Sequence, residues 1–148
     1  GLVGSEMCIR DRPMIDLLSE IYEVLKKDPF IQKHVDVQTH ITFYYPEIEK
    51  IDEPRIVIDE VDESLPKEYG DNDNLALSYL VQVDVYTKRQ PGMNARKLRD
   101  ELSYHISRIL KEQLNLTNTS NAKPEYDADF RLYRSARRYE GTFYRRND

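Results

Sequence analysis

The stretch from Leu75 to Leu114 restricts the fold more than any other, because its hydrophobic period changes once, from two residues to between three and four. Leu77, Tyr79, Val81, Val83 and Val85 fall on one side of an extended backbone. Ser78, Gln82 and Asp84 take the other side, with Leu80 and Tyr86 as exceptions to the alternation. Side chains alternate faces along a strand, so the segment is expected to be a long strand with one buried face. Lys88-Arg89-Gln90-Pro91-Gly92 interrupts it. From about Met93 onward, Leu98, Leu102, Ile106, Ile109, Leu110 and Leu114 recur at helical spacing. The strand needs an apolar surface against its buried side, and the helix supplies one. This pair is the expected centre of the fold.

The remaining elements are arranged around that pair. Met14 to Lys27 reads as an amphipathic helix with a stripe of Met14, Leu17, Leu18, Ile21 and Leu25. Asp16 near its start and Lys26-Lys27 at its end suit the helix dipole. Asp28-Pro29 stops it and can open a short second turn over Phe30 to Val35. Ile41-Thr42-Phe43-Tyr44-Tyr45, closed by Pro46, reads as a strand, and Arg55 to Val61 as a second, β-branched one. Asp62 to Asn74 contains Pro66, Gly70 and five acids against Lys67 alone, which predicts an exposed, mobile acidic loop joining two antiparallel strands in a long hairpin. Thr117 to Asp129 is expected to be a polar linker, and Phe130 to Arg146 a strand or broken pair closing the sheet edge. The element order is α-β-β-β-α-β, with two main helices and about four strands.

The 148 residues predict a single domain over 14–148. The first thirteen residues, Gly1 to Pro13, carry no period and resemble translated sequencing-adaptor read-through. They are left out of the fold reading as a non-native segment, with Met14 as the expected native start. Cys8 is the single cysteine, which excludes an internal disulfide and a cysteine-based zinc site, and makes a reducing cytoplasm the default expectation. A formal net charge of −5 disfavours a general nucleic-acid binder, which needs a basic face. No apolar run approaches the roughly 18 residues of a membrane span.

Candidate chemistry is sparse. His34, His40 and His105 show no ligand spacing, and His105 beside the apolar stripe reads as a boundary residue. Asp71-Asn72-Asp73-Asn74 resembles the start of a calcium loop, but Ala76 and Gln82 stand where that pattern requires Gly and Glu. Asp59, Glu60, Asp62 and Glu63 could suggest a metal-dependent nuclease, yet they are contiguous at a strand end rather than converging from several elements, and read as a solvated rim. Charge distribution is more informative. Glu47 to Asn74 holds eleven acids against three bases, Lys88 to Lys111 seven bases against two acids, and Arg131 to Arg146 six arginines against Glu140. Ordinary surface variation is one reading. The other is a head-to-tail contact in which an acidic patch meets a neighbour's basic patch and generates a ring.

The order of motifs carries a resemblance. A short helix precedes Phe43-Tyr44-Tyr45-Pro46-Glu47; then come Ile56-Val57-Ile58-Asp59-Glu60, the acidic segment, Tyr79 to Lys88, the amphipathic helix, and Tyr133 to Phe143. From Met14 to Arg145 the chain resembles the tail-terminator (tail-to-head joining) proteins of long-tailed bacteriophages and prophages. It departs from them at Glu140, where a basic residue is common. The resemblance implies an α+β fold, an antiparallel sheet packed on helices, and a hexameric ring without enzymatic activity or cofactor. Such a ring caps the tail tube, stops its polymerisation and forms the tail side of the head–tail joint. The implied partners are further copies of the chain, the major tail tube protein and the head connector, with DNA passing through the ring without sequence-specific recognition. The implied location is the bacterial host cytoplasm during assembly, then the head-proximal end of the virion tail. Another head–tail connector or minor tail protein, or a small phage nuclease, are the alternatives. Asp62, Glu63, Glu68, Asp71 and Asp73 on the acidic side, with Arg134, Arg137 and Arg138 on the basic side, are the expected interface residues.

Overall fold

The computed structural model describes residues 16–69 and 74–144. The expectation for Gly1 to Pro13 lies outside them. Helix α1 (Leu17–Lys26) begins where Asp16 accepts hydrogen bonds from the Ser19 backbone N–H at 3.2 Å and from its hydroxyl at 2.7 Å. Leu17, Ile21 and Leu25, one helical turn apart, are its buried stripe. Asp28 caps α2 (Pro29–His34) through the Ile31 N–H at 3.0 Å, with proline at the position where the missing donor costs nothing. Helix α3 (Ala95–Leu114) starts at Asn94, which accepts from the Lys97 N–H at 3.0 Å. It ends at Asn115, whose left-handed φ of 51° lets its N–H reach carbonyls of the last turn.

The fold is α+β, with the helices packed on one face of a six-stranded mixed sheet of order β1-β2-β3-β6-β4. The strands are β1 (Ile41–Thr42), β2 (Arg55–Tyr69), β3 (Asn74–Lys88), β4 (Thr117–Asn121), β5 (Glu125–Asp127) and β6 (Leu132–Tyr144), with β5 also paired to β6. The expected face of β3 is the buried one: Tyr79, Val81, Val83 and Val85 join Ile56 and Ile58 of β2, Leu102, Ile106 and Leu110 of α3, and the α1 stripe in one cluster. A smaller cluster of Ile51, Val57, Tyr86 and Leu132 lies apart from it on the opposite side of the sheet, which accounts for Tyr86 breaking the alternation. His105 packs its ring on Phe30 with centroids 4.0 Å apart, as expected of a boundary residue.

Four expectations need correction. The acidic segment is strand rather than loop over most of its length: β2 runs through Asp62, Glu63 and Glu68 to Tyr69, paired with β3. Register shifts at four places let irregular sequence, including Pro66, stay in the ladder. The aromatic strand is only two residues long, because the Thr42 hydroxyl bonds the Tyr44 carbonyl at 2.8 Å and turns the chain out of the sheet. It also runs parallel to β2, so the sheet is mixed rather than purely antiparallel. The polar linker supplies β4 and β5 because β6 would otherwise present an unpaired edge, and polar side chains suit a strand exposed at the sheet border.

Gly141 shows how closely β6 passes the end of α3. A Cβ there would lie 2.5 Å from Cδ2 of Leu116, a side chain with no solvent exposure. Gly141→Ala is therefore expected to cost about 1–3 kcal/mol through overpacking, measured as a shift in the urea midpoint. An unchanged midpoint would mean that Leu116 has room to move.

Candidate assembly surface

The face of the sheet turned away from the helices carries polar residues in cross-strand rows. Arg55, Tyr86 and Arg134 form one row, Val57, Asp84 and Ala136 the next, and Asp59, Gln82 and Arg138 the third. Asp84 is completely buried. A buried carboxylate is tolerated only when charge and hydrogen bonds compensate it, and four donors do so here. Arg134 donates to Oδ2 through Nε at 2.9 Å and through Nη2, while Oδ1 accepts from Gln82 Nε2 at 2.8 Å and from the Tyr45 hydroxyl at 3.3 Å. The Arg134 guanidinium also lies 5.5 Å from the Tyr86 ring centre and 5.8 Å from that of Tyr45, and 3.6 Å from the Glu125 carboxylate.

These contacts set the protonation states. Burial pushes the Tyr45 hydroxyl well above the ordinary phenol value, and the charges of Asp84 and Asp59 add to the effect, so Tyr45 remains a donor. Burial likewise raises Tyr86. For Arg134, burial works against the cation, but the hydrogen bond and charge of Asp84 outweigh it and hold the guanidinium above its usual value. The result is a fixed, charge-balanced platform.

Beside the platform the surface is open. Arg138 donates to Gln82 Oε1 at 3.1 Å and is exposed. Together with Lys123, Ser120, Asn121 and Glu125 it lines a groove of about 290 Å³ between this face and the segment joining β4 to β5. Volumes of about 300–1,000 Å³ are usual for small-molecule pockets, so the groove suits a few incoming side chains.

The predicted interface residues do not form the patches expected of them. Arg134 is committed inward to Asp84. Arg137 points to the helix side, half-buried, with Nη1 3.1 Å from the Ser107 hydroxyl, because neighbours on a strand face opposite ways. Of the three arginines, Arg138 is the exposed one. Asp62, Glu63 and Glu68 belong to the paired strand β2, and Asp71 and Asp73 lie outside the described residues. Asp59 and Glu60, as strand neighbours, also diverge, with Asp59 on the Asp84 side, 3.4 Å from the Tyr45 hydroxyl. Among the described residues no group of three or more His, Cys, Asp or Glu could hold a metal ion. Sequence reasoning missed Asp84, Tyr45, Gln82, Lys123 and Glu125 as site residues. A signal existed in Tyr86 and Leu80, two hydrophobic residues on the nominally solvated side of β3, which showed that this side is not simply wet.

No protein-family model matches the chain, and no curated protein matches it.

Proposed function

We propose that this chain is a structural protein of phage assembly, a ring-forming cap of the tail tube at the head–tail joint. The observation that supports the reading is charge segregation along one sheet: the acidic stretch lies in β2, toward one border, and the exposed Arg138 of β6 and Lys123 lie toward the other. Unlike surfaces at opposite borders suit a heterologous contact, which builds a ring when the rotation between copies closes. The α+β order of elements, which resembles that of tail terminators, supports the same reading. The divergence of Asp59 and Glu60 speaks against the nuclease alternative, since metal-dependent hydrolysis needs converging carboxylates. No helix among the described residues is long and apolar enough to cross a membrane.

The test is tail morphology. Inactivating the gene in the phage or prophage that encodes this chain is expected to give overlong tails not joined to heads, and supplying the chain in trans to restore uniform length. Normal tails on full heads in its absence, seen by electron microscopy, would overturn the proposal.

A further inference from the structure

We propose that a small pocket at the start of β2 binds an oxyanion, a phosphate or carboxylate group held by Arg55. This site is independent of the tail-cap reading. The pocket exists because the chain between β1 and β2 is pinned around Arg55. The His40 carbonyl accepts from the Ile56 N–H at 2.9 Å. Ile51 is buried in the smaller cluster, and Gln90 Nε2 donates to the Asp52 carbonyl at 2.8 Å. His40, Lys50, Ile51, Asp52, Glu53 and Arg55 enclose about 220 Å³. That is below the roughly 300–1,000 Å³ of pockets that take drug-sized molecules, and it restricts the ligand to a few atoms.

Two buried polar atoms of this pocket have no hydrogen-bond partner. Nη1 of Arg55 is shielded from solvent, and its side chain makes no hydrogen bond or ion pair among the described residues. Nδ1 of His40 is also shielded, and Glu53 Oε2 at 3.5 Å does not bond it. The acids nearby are engaged elsewhere. Asp52 meets Lys88 Nζ at 3.2 Å, Glu47 meets Lys50 Nζ at 3.2 Å, and Glu53 lies exposed on the His40 side. Arg134, in the same cross-strand row beyond Tyr86, has Asp84 as its counter-charge, whereas Arg55 has none. A guanidinium withdrawn from water needs an opposite charge as well as acceptors. Water accepts from Nη1 but does not neutralise the cation. The planar fork of an arginine matches the paired oxygens of a carboxylate or phosphate. With its proton on Nδ1, His40 adds a neutral donor. The Lys50–Glu47 pair is exposed on both sides and worth little, so the Lys50 ammonium can turn to an incoming anion.

Titration calorimetry of the full chain with inorganic phosphate, and separately with acetate, tests the site. At low ionic strength at least one of the two is expected to saturate a single site with a dissociation constant of about 1 mM or below, which is within reach of so small a ligand. Binding of phosphate alone would make the natural ligand a phosphate ester, and binding of acetate alone a carboxylic acid. Arg55→Gln should weaken binding at least about tenfold, the worth of a charge-assisted hydrogen bond. Arg55→Lys keeps the charge without the fork and should fall between the two. Thermal unfolding separates this role from a structural one. Without ligand, Arg55→Gln should be no less stable than the wild type, because it removes an uncompensated cation. With the bound anion added, the wild-type midpoint should rise further than that of the variant, since general salt effects act on both alike. Should Arg55→Gln fail to fold, Arg55→Lys is expected to show the same differences at smaller size. A wild type that saturates with neither anion, a folded Arg55→Gln that binds as the wild type does, or equal midpoint shifts in both proteins would each overturn the inference.

Discussion

Val83→Asp is expected to unfold the domain. Val83 is 2% exposed, in the centre of β3, and belongs to the cluster that includes Leu102 and Ile106 of α3. An aspartate there has no cation or donor within the apolar layer, and an unpaired buried charge is among the few single changes that cost more than about 4 kcal/mol. A whole domain is stable by only about 5–15 kcal/mol. Val83→Ala, which removes apolar contact without adding charge, should cost about 2 kcal/mol and leave a cooperative transition. Circular dichroism and urea titration distinguish the two. Equal tolerance of both changes would place Val83 on the other face, a register error of one residue. The neighbouring Gln82 is not an innocuous control, although its place on the polar side of β3 suggests one. Its amide donates to Asp84, so Gln82→Asp would put a second carboxylate against a buried one.

Arg134→Met is the second large effect. It leaves Asp84, fully buried, without its cation, while Gln82 and Tyr45 still donate to it. Breaking a buried pair costs about 3–5 kcal/mol. The Arg134 side chain is 35% exposed, so solvent screens part of the interaction and about 2–3 kcal/mol is the expected loss. Asp84→Asn with Arg134→Met removes both charges, and the double variant should be more stable than the sum of the single losses predicts by about 1–2 kcal/mol. Additive costs would show that Arg134 and Asp84 do not depend on each other.

Part of this protein follows from its sequence alone. Helices α1 and α3, the buried side of β3 and the α+β class can be read from the chain because periodicity and capping involve residues a few positions apart. Asp16, Asp28 and Asn94 begin their helices with bonds to groups three residues on, and no distant contact is needed to place them. What lies beyond that range was decided by the tertiary structure. Asp62 to Tyr69 has the composition of a loop, yet β3 continues opposite it and offers a partner, so the backbone pairs in spite of its side chains. Thr117 to Asn121 becomes a strand only because β6 has a vacant edge beside it. The arginines of β6 could not be sorted locally either. Leu132 and Tyr139 lie an odd number of residues apart and are buried on opposite faces, so no alternation marks one side as the core. Only the pairing with β3 turns Arg134 to Asp84, Arg137 to Ser107 and Arg138 to the groove. Side-chain period is a local property of the chain, whereas the face a charge occupies depends on which strand folds against it.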